Sequence, residues 1–296
     1  MSKLNYPTFA GLGALLIWSL SAVITTNISN IPLFETMIFI FGTSFACVAI
    51  KLTICNEWYK IRGQPLALWI FGVLGLCGSD IAYVKAVALA PTEHIELIDY
   101  FWPFLVIVFT SLLPNEKFSF KYVVAGICGL AGVYILLNNG ESAFDFIHIQ
   151  GYMIAFGGAL AWSCYVLVTR FYQNAPAELI GMYCGVGCLL SVIVHLKYEV
   201  TVSPSYQDCL LAMFLGLGAS GIAYLLWDTA SKKGNIQLLG TLSYFTPIIS
   251  MGLLVYFGKT QLTHTLILAC FMVILGVVIG SVNWGPLFKF FKRAFR

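Results

Sequence analysis

The sequence predicts an all-α integral membrane protein, with ten transmembrane helices in two inverted five-helix repeats and both termini in the cytoplasm. Three observations lead there. The first is composition: 59% of the 296 residues are hydrophobic and 10% are charged, whereas about a quarter of a soluble domain is charged. The second is length. Apolar runs recur along the whole chain, each long enough to cross roughly 30 Å of hydrocarbon as a helix. The third is duplication. Trp18-Ser19 returns as Trp162-Ser163, and Tyr100-Phe101-x-Pro103 returns as Tyr244-Phe245-x-Pro247, both 144 residues later. Gly132-Val133 and Gly276-Val277 keep that offset, while GLCGSDIAY (Gly75–Tyr83) and GLGASGIAY (Gly216–Tyr224) are 141 apart.

Spans are expected at 8–26, 33–54, 66–90, 92–113 and 120–138, which make residues 1–138 the first repeat. No small-residue cleavage site follows the first apolar stretch, so it reads as a span and not as a secretory signal. An outer-side connection covers 139–150. The second repeat, 151–283, holds spans at 151–171, 178–196, 208–231, 236–257 and 263–283. Five spans per unit is an odd number, so the second copy must enter the bilayer from the opposite side. Inverted repeats are the architecture of secondary transporters, with the substrate site near mid-depth.

Charge sets the orientation. With the N-terminus inside, 13 of the 16 Lys and Arg residues lie on the inner side, Lys197 and Lys259 lie outside, and Lys85 falls within a span. The tail, 284–296, places Phe288, Phe291 and Phe295 on one helical face with Lys289, Lys292, Arg293 and Arg296 around it. That pattern suits an anchor on an anionic inner leaflet.

The stretch ELIDYFWPFLVIVF (Glu96–Phe109) puts two acids and a proline into an apolar span. A proline cannot donate to the carbonyl four residues back. Pro103 should therefore free the Asp99 carbonyl and Pro247 that of Ser243. In lipid a free carbonyl must face protein, water or a ligand. The two breaks either shape the bundle only or border a polar cavity; the side chains of Tyr100, Trp102, Ser243 and Tyr244 favour the cavity. Thr92, Glu96, Asp99 and Pro103 share one helix face. A mid-span acid facing lipid costs about 2.5–3.5 kcal/mol, so this face should line a wet pathway.

Asp80 lies mid-span in the first repeat beside Ser79, a candidate substrate contact, and Asp228 lies nearer the inner end of the eighth span. Desolvation favours the neutral form of a carboxyl group. Asp80, Glu96 and Asp99 are thus the charge sites, and Asp80 or Asp99 is the candidate for exchanging a proton against substrate. Lys85 is placed to pair with Glu96 or Glu93, for structure or for function. The repeat mates Trp18 and Trp162 are expected on opposite cavity walls, joined by Tyr83 and Tyr224. Such walls suit flat or cationic solutes.

Other signals are weaker. The nine cysteines include no CxxC pair and read as packing residues, Cys184 and Cys188 among them. Gly126, Gly129 and Gly132, like Gly276 and Gly280, allow close helix contact, within the molecule or at a dimer face. No Walker loop, HExxH motif or nucleophile–base set is present, which argues against an ATP-driven pump, a metal site and an enzyme.

Ten spans in two inverted halves, with IWS in the first span and AWS in the sixth, resemble the drug/metabolite transporter superfamily in its EamA-like branch, over essentially the whole chain. DYFWP (Asp99–Pro103), AWSCYVLVTRFY (Ala161–Tyr172), AYLLWD (Ala223–Asp228), Gly234-Asn235 and SYFTP (Ser243–Pro247) resemble more narrowly the bacterial exporters of aromatic amino acids and paraquat. The resemblance implies a multi-pass protein of the bacterial inner membrane that exports amino acids or related metabolites through a central cavity closed alternately on its two sides. It implies cavity roles for Tyr83, Tyr100, Trp102, Trp162 and Ser243.

The expected partners are a small-molecule substrate, the lipid bilayer, and protons or a metabolite gradient. No cofactor and no nucleic acid are expected, and the oligomeric state is a monomer or weak dimer. Asp99 and Asp228 stand where members of the group carry Asn; with Asp80 and Glu96 they tilt the expectation toward a cationic or amine-bearing substrate. Uptake or exchange of a nucleotide-like metabolite, such as an adenosylated compound, and a channel are the alternatives.

Overall fold

The computed structural model describes residues 6–25, 27–28, 31–110, 113, 120–137, 145–258 and 264–281. Among them there is helix and no strand. The first half holds α1 (Tyr6–Thr25), α2 (Leu33–Ile54), α3 (Leu66–Gly72), α4 (Ser79–Val87), α5 (Thr92–Asp99), α6 (Trp102–Thr110) and α7 (Phe120–Leu137). The second half holds α8 (Ile149–Phe171), α9 (Leu179–Tyr198), α10 (Tyr206–Leu217), α11 (Tyr224–Lys233), α12 (Ile236–Leu242), α13 (Phe245–Tyr256) and α14 (His264–Ser281). Seven helical stretches of 20–28 residues are long and apolar enough to cross a membrane, as befits a multi-pass membrane protein. Two shorter apolar helices, Phe120–Ile135 and His264–Gly280, accompany them. The positions of Lys3, Lys117 and Lys259, residues 139–144 of the 139–150 connection and the tail 284–296 lie outside the described residues.

Local chemistry starts and stops these helices. Pro32, Pro65 and Pro91 directly precede α2, α3 and α5; each lacks an N–H that the first turn would leave unpaired. Asn235 caps α12, its side chain accepting from Leu238 N–H at 3.1 Å, and its own N–H donates to Thr8 Oγ1 at 3.1 Å.

Two features interrupt the regular ladder in both halves. Between α3 and α4, and between α10 and α11, lie π-helical turns at Val73–Gly78 and Gly218–Ala223. The fourth and ninth predicted spans are each split, at Tyr100–Phe101 and at Ser243–Tyr244. The prolines therefore do not bend continuous helices. Pro103 and Pro247 sit in the first turn of new ones, where the missing donor is tolerated.

The halves pack reciprocally. Repeat mates α7 and α14 lie along each other, as do α2 and α9. α1 packs on α11 and α13 of the second half, while α8 packs on α4 and α6 of the first. Even single bonds repeat: Ser19 Oγ donates to Leu15 O (2.8 Å) and lies 3.4 Å from Thr246 O, and its mate Ser163 Oγ donates to Ala159 O (2.7 Å) and Trp102 O (3.2 Å). The small-residue stripes serve these internal contacts. A Cβ on Gly276 of α14 would come 2.7 Å from the Ala125 carbonyl of α7.

Candidate functional site

Where α1 and α8 cross the broken segments, the packing leaves a cavity of about 360 Å³. Its aromatic walls are Trp18 of α1, Trp162 of α8, Tyr83 of α4, Tyr100 and Trp102 at the α5–α6 break, and Tyr224 at the start of α11. Its polar groups are Asp80 and Ser79 of α4, Asp99 at the end of α5, Ser21 of α1, and Thr246 and Ser250 of α13. The π-helical turns position part of this lining. Such a turn leaves carbonyls out of the normal i→i+4 ladder, and two of them take side chains: Trp18 Nε1 donates to Ala219 O at 3.1 Å, and Ser44 Oγ donates to Ser220 O at 2.9 Å. The Tyr224 hydroxyl reaches the Asp80 carboxyl.

Behind the cavity the rings interlock. Trp227, 1% exposed, stands 5.4 Å from Trp18 and 5.5 Å from Trp102, centroid to centroid. Trp162 lies 6.0 Å from Trp18 and 6.1 Å from Trp102, and continues through Tyr165 to Tyr183 and Trp69. Toward the C-terminus of α11, the helix that carries Trp227, the Arg170 guanidinium donates to the carbonyls of Ser231, Lys232 and Gly234, and Lys232 Nζ bonds Asp228 at 2.6 Å and Ala175 O at 2.9 Å.

Nine residues expected at a substrate or charge site from sequence alone come together here: Trp18, Ser79, Asp80, Tyr83, Asp99, Tyr100, Trp102, Trp162 and Tyr224. Three others do not line the cavity. Glu96 stands behind the wall, 3.4 Å from the Tyr83 hydroxyl. Ser243 is fully buried and donates to Leu239 O at 2.8 Å. Its carbonyl is not free either, since Thr246 N–H donates to it at 3.0 Å.

Tyr244 is also fully buried, among Leu97, Val133 and Val273. Its ring fills a hollow over Gly129, where a Cβ would overlap it. The repeat mate of Gly129 is Val273, which offers no such hollow, and Tyr100 turns to the cavity instead.

Sequence reasoning missed Ser21, Thr246, Ser250 and the buried Trp227. Thr246 had a signal, being the repeat mate of Trp102, and Ser250 lies one turn further along the same face. Lys85 is exposed; its proposed partner Glu93 has its side chain outside the described residues. Cys184 and Cys188 point to backbone carbonyls of Ser220 and Ile38.

Two latches join α2 to α9 outside the cavity. At one end Lys51 bonds Glu178 at 2.6 Å, with Lys60 3.6 Å from Glu178 and 2.6 Å from Glu57. Burial alone pushes the Glu178 carboxyl up, but the hydrogen bond from Lys51 and the charges of Lys51 and Lys60 outweigh it and hold it below its usual range. At the other end Glu199 accepts from the N–H groups of Phe34 (3.1 Å) and Glu35 (3.3 Å), and His195 Nδ1 lies 2.8 Å from it.

Comparison with known proteins agrees with this architecture. Residues 6–138 and 149–282 each match the EamA-like transporter family, so the matches fall on the two repeats. The aromatic amino acid exporter YddG of Ancylobacter novellus is 32% identical over 277 residues, covering 93% of this chain and 96% of its own length. YddG of Escherichia coli, also named an aromatic amino acid exporter, is 25% identical over 263 residues, covering 83% of this chain and 86% of its own length. A crystal structure superposes with a TM-score of 0.87 at 30% identity, covering 94% of this chain and 98% of that one. With its duplicated helical halves meeting around one aromatic cavity, the chain belongs to the EamA-like transporter family.

Proposed function

We propose that the protein is a secondary exporter of aromatic amino acids or closely related amphipathic metabolites, working by alternating access. Ten spans in two inverted repeats, 1–138 and 151–283, with both termini cytoplasmic, form the scaffold of this reading. The observation that carries it is the cavity itself: repeat-mated Trp18 and Trp162, Tyr83 and Tyr224, around two carboxylates at the junction of the halves. The two relatives named as exporters support the substrate class. In this reading the broken helices let each half rock against the other, so that the cavity opens alternately to the two sides of the membrane. Asp80 or Asp99 is the coupling site, exchanging a proton against substrate.

Counterflow in proteoliposomes tests this with a panel of amino acids, amines and nucleotides. Saturable exchange of an aromatic solute is expected, and Trp102→Ala and Trp162→Ala should each lower it at least tenfold. Normal flux through both variants defeats the cavity assignment; flux that never saturates points to a channel. For coupling, Asp80→Asn and Asp99→Asn are compared with the wild type across pH 5.5–8.5. Loss of the pH dependence in one of them is the expected result, and an unchanged profile in both removes proton coupling.

A further inference from the structure

The walls of the cavity come in repeat pairs, but its charge does not. Trp18 and Tyr83 have their mates Trp162 and Tyr224 on the lining. Both carboxylates, Asp80 and Asp99, belong to the first repeat, and the equivalent positions of the second are Gly221 and Ser243. Among the described residues no lysine, arginine or histidine lines the cavity. Lys232, the buried cation nearest in sequence to the wall residue Tyr224, is already bonded to Asp228. One wall therefore carries two carboxyl groups with no counter-charge among the described residues, and they are stable in the ionised form only when a cation pairs with them.

A second, independent observation concerns a donor. The Trp162 side chain is 8% exposed, and its indole N–H has no partner among the described residues. Its mate Trp18 has spent the same N–H on the Ala219 carbonyl. Leaving a buried donor unpaired is costly unless something arrives to accept from it. The ring lines the cavity, so the acceptor would come with a ligand.

We infer, on the footing of the transporter reading above, that the cavity selects aromatic cations: a ring, an ammonium group and a neutral acceptor such as an amide carbonyl, in preference to the zwitterionic amino acid. The ammonium pairs with Asp99 and Asp80, where it is both charge-matched and within reach of the tyrosine and tryptophan faces. The neutral acceptor takes the Trp162 N–H. A free amino acid places a carboxylate in the same small space as two aspartates, with no cation to receive it. Specificity then comes from repulsion of the wrong ligand as much as attraction of the right one.

The test is counterflow by the full-length protein against tyrosine, tyrosinamide and phenethylamine, together with quenching of intrinsic tryptophan fluorescence by each. Tyrosinamide should half-saturate at least tenfold below tyrosine. Asp99→Asn should bring the two within about twofold, with Asp80→Asn as the second variant should the first not fold. Trp162→Phe should weaken tyrosinamide several-fold while leaving phenethylamine, which has an ammonium but no acceptor, within twofold. If tyrosine half-saturates as low as tyrosinamide in the wild type, the inference fails and the exporter reading stands. If none of the three is bound or carried, both fall. Fluorescence quenching of the wild type alone decides the matter if no variant reaches the membrane.

Discussion

Lys232 is 5% exposed and its partner Asp228 is 4% exposed, one helical turn away. A buried pair of this kind adds little net stability over an apolar pair, but removing one member strands the other. Lys232→Met should therefore cost about 3–5 kcal/mol, and adding Asp228→Leu should recover most of it; denaturant titration in detergent reads both. The cavity too was legible in the sequence residue by residue, and only in part. Trp18, Trp162, Tyr83 and Tyr224 were legible because they recur in register. Tyr244 recurs in register too, yet it is buried over Gly129 while Tyr100 lines the cavity. The difference is Gly129 against Val273, a contact with a helix distant in sequence. The periodicity of one segment carries no trace of it.

At the level of elements, the long helices were legible from apolar length: α2 (Leu33–Ile54) and α9 (Leu179–Tyr198) fall where spans 33–54 and 178–196 were expected. Their interruptions were not. A π-helical turn differs from its α-helical surroundings by one hydrogen-bond partner per residue, and GLCGS or GLGASG is compatible with either. The prolines announced a disturbance in α5–α6 and α12–α13, but not that Thr246 N–H would satisfy the Ser243 carbonyl.

The stacking of α7 against the second broken helix is tight enough to test. Gly129→Val should push the Tyr244 ring out of its hollow; overpacking of a filled core costs roughly 1–3 kcal/mol, and a lowered melting temperature in detergent is expected. Gly157→Ala, where a Cβ meets nothing within 4 Å, should leave the melting temperature unchanged. Equal stability of both variants would mean that α7 and the α12–α13 break are loosely packed.

Across the whole molecule, α2 and α9 form a clamp between the two halves that is fastened by different chemistry at its two ends. One end carries the Lys51, Lys60, Glu57 and Glu178 network, and the other the Glu199 carboxylate on the N-terminus of α2. A carboxylate at a helix N-terminus meets the positive end of the helix dipole, so the Glu199 end needs no lysine. The lysine-rich end makes a pH prediction with a definite sign. The Glu178 carboxyl is held below its usual range by its lysine partners.

A group whose pKa is lowered in the folded state contributes stability that is present above its unfolded pKa, and that contribution disappears as pH falls through the folded one. The clamp should thus be at full strength at neutral pH and loosen only as pH drops below the ordinary glutamate range. Lys51 is about half exposed, so solvent screening keeps the effect under about 1 kcal/mol. Thermal unfolding from pH 7 to pH 3 should show a shallow loss that Glu178→Gln removes, because the variant has no proton to gain there. An unchanged acid limb in the variant would mean that the Lys51–Glu178 contact adds nothing to the clamp's strength.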